Sequence, residues 1–245
     1  MQHLELLQLD FETKIDPREI SGFRAAVLDY MGWGYDGLPS LEERNHKRTV
    51  RPGNGAGLPV YSFDYPLAQF KMCRCHDSYH PMLLYLGPNP GKIEALFHSA
   101  RHASVLTNGQ AYPLRISRAR TESFHLQAGK DWVDYHLFRY QGLTAADYRD
   151  FQLLTGAEER LSFLQRLLTK HLRSFARGVG WQVGIPIEVA HLHILREGPL
   201  SFPGTRYPCF DLSFRCNLFL PEHLGLGNAV VLGLGTLRLD RRGQN

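Results

Sequence analysis

The order in which hydrophobic periodicity changes along residues 4–116 constrains this chain more than any other feature. Leu4–Phe11 alternates apolar and polar side chains, the two-residue period of a half-buried strand. Asp16-Pro17 supplies an N-cap and a first-turn proline, and Ile20, Phe23, Val27 and Tyr30 recur at three- and four-residue steps. That spacing predicts a helix, ended by Gly32 and Gly34. Val60–Cys75 reads as a strand that Pro66 interrupts, and Pro81–Leu86 as its hairpin partner. Gly87–Gly91 marks a tight loop, Lys92–Arg101 a second helix, and Val105–Ile116 strand material to complete the set.

The resulting order, β-α-β-β-α-β, is the ferredoxin-like pattern found in many RNA-binding modules. It defines a first lobe over residues 1–116. Residues 117–142 are mixed and aromatic-rich and have no clear period. Two helices follow, Thr144–Leu154 and Glu158–Ala176, the second expected to be capped by Thr155 and stopped by Gly178 and Gly180. Strands are expected at Ile187–Arg196, at Cys209–Leu218 and in a last segment ending near Leu239. The fold class read here is α+β: two ferredoxin-like lobes in tandem, the second spanning 117–245 with extra helices and a glycine-rich loop at 225–235.

Of 245 residues, 43% are hydrophobic and 21% charged, which is ordinary for a globular chain and excludes disorder as the default. The formal charge is +4, and 22 of the 28 basic residues are Arg. A guanidinium fork matches phosphate oxygens two at a time, so the bias suits a phosphate-rich partner. Cys73, Cys75, Cys209 and Cys216 have no framework spacing, and Cys73-Arg74-Cys75-His76 lacks the two-residue gap of zinc knuckles. Reduced thiols, and hence a reducing cytoplasm, are the expectation. Met1–Asp10 has no basic-then-apolar signal pattern, and no stretch approaches the roughly 18 apolar residues of a membrane span.

Four glycines, Gly225, Gly227, Gly233 and Gly235, stand in the run GLGNAVVLGLG ahead of the basic residues Arg238, Arg241 and Arg242. Glycine lets the backbone take positive φ and turn N–H groups toward a phosphate; no Gly-Lys-Ser/Thr makes this a P-loop. On the helix from Glu158, Arg166, Lys170, Arg173 and Arg177 share one face, a stripe roughly 16 Å long, opposite Leu161, Leu164, Leu168, Leu172 and Phe175. An ordinary solvated face reads the same way. His191 with His193, and His98 with His102, are paired in spacing, but no carboxylate or cysteine nearby in sequence completes a metal site.

The run from Phe210 to Leu239, FDLSFRCNLFLPEHLGLGNAVVLGLGTLRL, resembles the corresponding segment of the CRISPR-associated endoribonucleases that mature guide RNA, the sixth CRISPR-associated family of the RAMP superfamily. Asn45-His46, followed by Tyr65-Pro66-Leu67-Ala68-Gln69-Phe70-Lys71, is similar to the b-type branch of that family. The chain departs from the family where Asn228 stands for a lysine, Val231-Leu232 for Ser-Arg, Leu234 for an aromatic residue and Arg44 for a histidine.

The resemblance implies a metal-independent endoribonuclease that binds CRISPR repeat RNA and cuts precursor RNA by attack of a 2′-hydroxyl, leaving a 2′,3′-cyclic phosphate and a 5′-hydroxyl. Such a cut needs a proton taken, a proton given and charge stabilised on phosphorus. Imidazole, with its ordinary pKa of about 6.5, suits the proton work. With His46 from the resemblance, and Arg44 and Lys71 as nearby cations able to supply charge, the candidate catalytic set is His46, Arg44 and Lys71. The candidate RNA contacts are Asn45, Lys47, Arg48, the helix stripe Arg166, Lys170, Arg173 and Arg177, and, in the glycine-rich loop, Gly225, Gly227, Asn228, Gly233 and Gly235. No cofactor or metal is expected. RNA is the expected partner, and the resemblance also allows a CRISPR effector complex or a homodimer. Two alternatives stand beside it: a non-catalytic RNA-binding subunit of the same superfamily, and a metal-dependent or two-histidine phosphoesterase.

Overall fold

The computed structural model describes residues 2–33, 65–202 and 205–240. The first lobe opens with strand β1 (Gln2–Phe11) and helix α1 (Ile20–Tyr30), entered through a short 3-10 turn at Pro17–Glu19. The Asp16 side chain caps that turn by accepting from the Arg18 N–H, as the Asp-Pro pair predicts. Strands β2 (Ala68–Cys75) and β3 (Ser78–Leu86) form a hairpin, and α2 (Pro90–Ser99) follows.

The fourth strand of this lobe is not where the sequence places it. Val105–Ile116 folds instead as a separate small hairpin, β4 (Ser104–Thr107) and β5 (Gln110–Pro113), because Asn108-Gly109 takes positive φ at both positions. The place beside β1 is taken by β6 (Ile116–Tyr140), a 25-residue strand drawn from the segment with no clear period. Residues 116–126 of β6 pair with β1, and residues 127–140 pair with strands of the second lobe. The boundary read between residues 116 and 117 therefore falls at the first residues of a strand that both lobes use.

In the second lobe α3 (Ala145–Leu153) and α4 (Ala157–Gly178) lead to β7 (Val189–Phe202), β8 (Thr205–Phe219) and β9 (Thr236–Leu239). Thr144 and Asp147 build a reciprocal capping box on α3. The N-cap of α4 is Gly156 rather than Thr155; its N–H donates to the Glu159 carboxylate, 3.4 Å away. The large sheet runs β2-β3-β1-β6-β8-β7, with β9 beside β6. Numbered within each lobe, both halves have the antiparallel order fourth-first-third-second: β6-β1-β3-β2 and β9-β6-β8-β7. These are two ferredoxin-like α+β units, and the segment between β8 and β9 takes the place of a second helix in the later one.

Alternation along β1 serves two cores. Leu7, Leu9 and Phe11 pack with Phe23, Phe70 and Phe97 beneath α1 and α2, while Leu4 and Leu6 join the larger cluster of α4 and the second-lobe sheet. Helix α4 supplies Leu164, Leu168, Leu172 and Phe175 to that cluster, all at or near complete burial. Removing a side chain such as Phe175 to alanine costs about 3–5 kcal/mol in a core of this kind.

Candidate functional site

The candidate site is built where β2 meets the glycine-rich segment. Successive residues of a strand face opposite ways, so Ala68 and Phe70 enter the core under α1 and α2, and Gln69 and Lys71 turn toward the second lobe. Tyr65, just ahead of the strand, packs edge-on against Phe175 of α4 and reaches the same place. The Gly225 peptide is held on both sides: its N–H donates to Gln69 Oε1 (2.8 Å), and its carbonyl accepts from Tyr65 Oη (2.6 Å). Gln69 Nε2 donates in turn to Tyr65 Oη and to the Pro66 carbonyl. At the other end of the loop, Lys71 Nζ donates to the Leu234 carbonyl at 3.0 Å.

Lys71 is 1% exposed, and burial lowers its pKa to about 7. Burial likewise pushes the Tyr65 phenol far above its ordinary range. Both groups are hydrogen-bonding partners of the loop, shut away from water. The ammonium does not point into open solvent.

Between these anchors the loop closes on itself. Leu226 N–H donates to the Gly235 carbonyl, Gly235 N–H to the Arg139 carbonyl, and Asn228 N–H to the Gln141 carbonyl. Gly235 has φ +66°, and a Cβ there would overlap the Leu226 backbone, so only glycine fits. Gly225 and Gly235 are buried, Gly227 and Gly233 half-buried, and Asn228 lies on the surface. Ala229 and Leu234 pack against Cys209 from below.

A second anchor comes from α4. Asn228 Nδ2 donates to the Gly142 carbonyl (2.9 Å), which turns its Oδ1 toward His171 Nε2 (3.1 Å). That oxygen is an acceptor, so Nε2 carries the ring proton and Nδ1 accepts from Tyr140 Oη. Burial holds His171 neutral by lowering its pKa to about 4. One residue earlier on the same helix, Lys170 faces outward with Arg166, Arg173 and Arg177, all four exposed along one side of α4. The loop and the basic stripe are thus tied to a single helix.

Arg44, Asn45, His46, Lys47 and Arg48 lie outside the described residues. The remaining expected positions fall in two groups. Lys71, Gly225, Gly227, Asn228, Gly233 and Gly235 come together at the loop, and the four cations lie on the exposed face of α4, the helix whose buried His171 holds Asn228. Tyr140, His171, Tyr65 and Gln69 were not singled out as loop anchors in the sequence. A histidine on the apolar face of α4, between Leu167 and Phe175, was the available sign of a buried hydrogen-bonded ring.

A cleft of about 610 Å³ opens on the large sheet where the two lobes join, lined among others by Arg120, Glu122, Phe124, Phe219, His223 and Arg238. Phe124 and Phe219, both in its lining, stack with ring centroids 5.1 Å apart. His191 and His193 border a smaller hollow with His136 and Asp240, where His136 Nε2 meets Asp240 at 3.3 Å. Among the described residues no three His, Cys, Asp or Glu side chains converge as metal ligands. All four cysteines are free, and burial pushes the Cys216 thiol up to about 12. No described helix is long and apolar enough to cross a membrane.

Residues 127–239 match the family model of the Cas6b C-terminal domain. No curated protein matches the chain. Among solved structures, one described as Cas6b superposes with a TM-score of 0.74 at 17% identity, covering 98% of this chain and 100% of that one. A second, described as the CRISPR RNA processing endoribonuclease Cas6b, gives 0.68 at 16% identity over 98% and 100%. A type IV Cas6 crRNA endonuclease, Csf5, gives 0.50 at 13% over the same shares. At such identities the superpositions speak for the fold, and the family model speaks for the sequence of the second lobe. Residues 127–239 are thus similar in sequence to the Cas6b C-terminal domain, and the chain as a whole shares the fold of the two Cas6b structures.

Proposed function

We propose that this chain is an endoribonuclease that binds CRISPR repeat RNA and cuts precursor RNA into guides. One observation carries the reading: Tyr65, Gln69 and Lys71 of the first-lobe motif hydrogen-bond directly to the glycine-rich loop of the second. Two segments that resemble the same family, some 160 positions apart, form one local structure. The Cas6b fold and the match to the Cas6b C-terminal domain support it. So does the activity named for one structural relative, a CRISPR RNA processing endoribonuclease.

In this mechanism His46 is the catalytic imidazole. The 2′-hydroxyl loses its proton as its oxygen attacks phosphorus, the bond to the 5′-oxygen breaks, and that oxygen receives a proton. The products are a 2′,3′-cyclic phosphate and a 5′-hydroxyl. Arg44, with Lys47 and Arg48, offsets the negative charge that gathers on the phosphoryl oxygens. Asn45, the exposed face of α4 and the arch of the loop hold the RNA backbone, drawing on the phosphate attraction common to basic RNA-binding surfaces. Lys71, the third member of the expected set, is buried and donates to the Leu234 carbonyl of the loop, so it acts at one remove from the phosphate. No metal enters the mechanism.

The test is cleavage of repeat RNA by purified protein in EDTA, beside RNA with a single 2′-deoxy sugar at the cut. Expected is cutting of the all-ribose RNA alone, lost in His46→Ala. Tight binding without cutting would instead favour a non-catalytic RNA-binding subunit. The apolar Val231, Leu232 and Leu234, in place of polar and aromatic loop residues, are the feature that favours that second reading.

A further inference from the structure

Lys71 presents a physical problem that catalysis does not explain. A buried ammonium is costly unless a charge or several acceptors offset its lost hydration. Among the described residues no carboxylate does so; desolvation is the one cause that shifts its pKa. A methionine of similar volume would fit an enclosed strand position at less cost. The ammonium is spent on one backbone carbonyl, that of Leu234, at the far end of the glycine-rich loop.

Its neighbours on the same face spend their polar groups on the near end. Gln69 has every polar atom engaged: Oε1 with Gly225 N–H, and Nε2 with Tyr65 Oη and the Pro66 carbonyl. Tyr65 Oη both accepts from Gln69 and donates to the Gly225 carbonyl. Gly225 sits so tightly in this seat that a Cβ would lie 2.6 Å from Gln69 Oε1 and 2.7 Å from Lys71 Nζ. The two ends of the loop are therefore clamped by three side chains of one short segment. Between them the loop turns through Gly227 at φ +112° and Gly233 at φ +80°, with Leu226, Ala229 and Val230 buried and Asn228 exposed at its crest.

We infer that Tyr65, Gln69 and Lys71 are positioning residues: a buried bracket on the first lobe that presets the shape of the second lobe's RNA-gripping loop. The inference rests on the proposed function for what the loop grips, though not for the bracket itself. Lys71 contacts the loop backbone and leaves the scissile phosphate to other cations. Because the loop is preformed, RNA meets its exposed crest without first having to order it, which is how preorganisation raises affinity.

Two variants test this. Lys71→Met removes one clamp at nearly constant volume, and Tyr65→Phe removes a single oxygen from the other, so at least one is expected to fold. Amide hydrogen exchange, which needs no RNA, is expected to quicken about tenfold or more at residues 225–235 in each, while β1 and β3 amides keep their protection. Repeat RNA should bind about tenfold more weakly, with a smaller change, about threefold at most, in the single-turnover rate at saturating RNA. Unchanged exchange in the loop would overturn the bracket. So would a Lys71→Met protein that binds RNA normally yet loses its saturated rate, since that places the ammonium at the reaction. If wild-type protein neither binds nor cuts repeat RNA, the proposed function fails, and the exchange measurement still decides the bracket.

Discussion

Tyr140 Oη and His171 Nδ1 lie 2.7 Å apart inside the second lobe, and the bond between them fixes the imidazole that holds Asn228 on its other side. A tyrosine at the end of a strand, a histidine in mid-helix and an asparagine in a loop thereby share one proton arrangement. The ring is 9% exposed and has both nitrogens occupied. It belongs to the scaffold of the loop rather than to proton transfer.

His171→Leu should therefore destabilise the protein by about 2–4 kcal/mol, since it leaves the Tyr140 hydroxyl and the Asn228 carbonyl oxygen without their partner. Urea unfolding monitored by circular dichroism checks this. The same residue sets an acid limit. Its folded pKa of about 4 lies below the ordinary 6.5, so the unfolded chain takes up the proton first. Stability from this group is complete above pH 6.5 and falls as pH drops from there toward 4, a slope expected to be absent in the variant.

Lys71 acts over a different window, again by binding protons more weakly when folded. Its pKa is about 7 in the fold and 10.5 outside it, so between these values the unfolded state holds more protons. This group's contribution to stability should rise as pH increases from about 7 to about 10.5 and level off beyond. Thermal unfolding of wild type and Lys71→Met across that range measures the difference; a parallel pair of curves would count against the buried amine.

Gly235→Ala should be more damaging than most single changes. Positive φ disfavours any Cβ, and this one meets the Leu226 backbone, which cannot move without breaking the Leu226–Gly235 hydrogen bond. Expected is a loss of about 2 kcal/mol or more of stability, or a loop shifted from its place. Gly32→Ala is the control: its φ is also positive, at +64°, but nothing lies near its absent Cβ, so it should cost less.

The exposed cations of α4 are best tested through salt. If Lys170 and Arg173 each neutralise a phosphate, replacing both by alanine should make the plot of log affinity against log salt shallower by about 1.5. RNA of unrelated sequence should lose affinity by a similar factor, because phosphate contacts carry no sequence information. An unchanged slope would return this stripe to the status of a solvated helix face.

Local physics explains what could be read from the chain alone. Helices α1, α3 and α4 and strands β1, β3 and β8 announce themselves by spacing and caps, and each is present, with end shifts of a few residues and the α4 cap moved to Gly156. β6 was invisible for a physical reason. Its first half is an edge strand with Arg118, Arg120 and Glu122 exposed, so no apolar alternation marks it, and its second half pairs on both sides. Asn108-Gly109 was the missed turn signal that would have split Val105–Ile116 in two. At the loop, glycine content was legible because it reflects backbone need. Its anchors were not, because Gln69 and Tyr65 find Gly225 only through a contact spanning 156 and 160 positions.

The shared strand has a further meaning for how this molecule behaves under load and under truncation. A contour of 25 residues extends roughly 80 Å, and it serves as last rib of one half and first rib of the other. Force or distortion applied to one half passes straight along a hydrogen-bonded spine, with no linker to absorb it. Severing the chain at residue 116 would strip β1 of its neighbour from Gln2 to Phe11 and bare a ladder that invites intermolecular pairing. Neither half is a module that can be traded alone; whatever loosens one loosens the other.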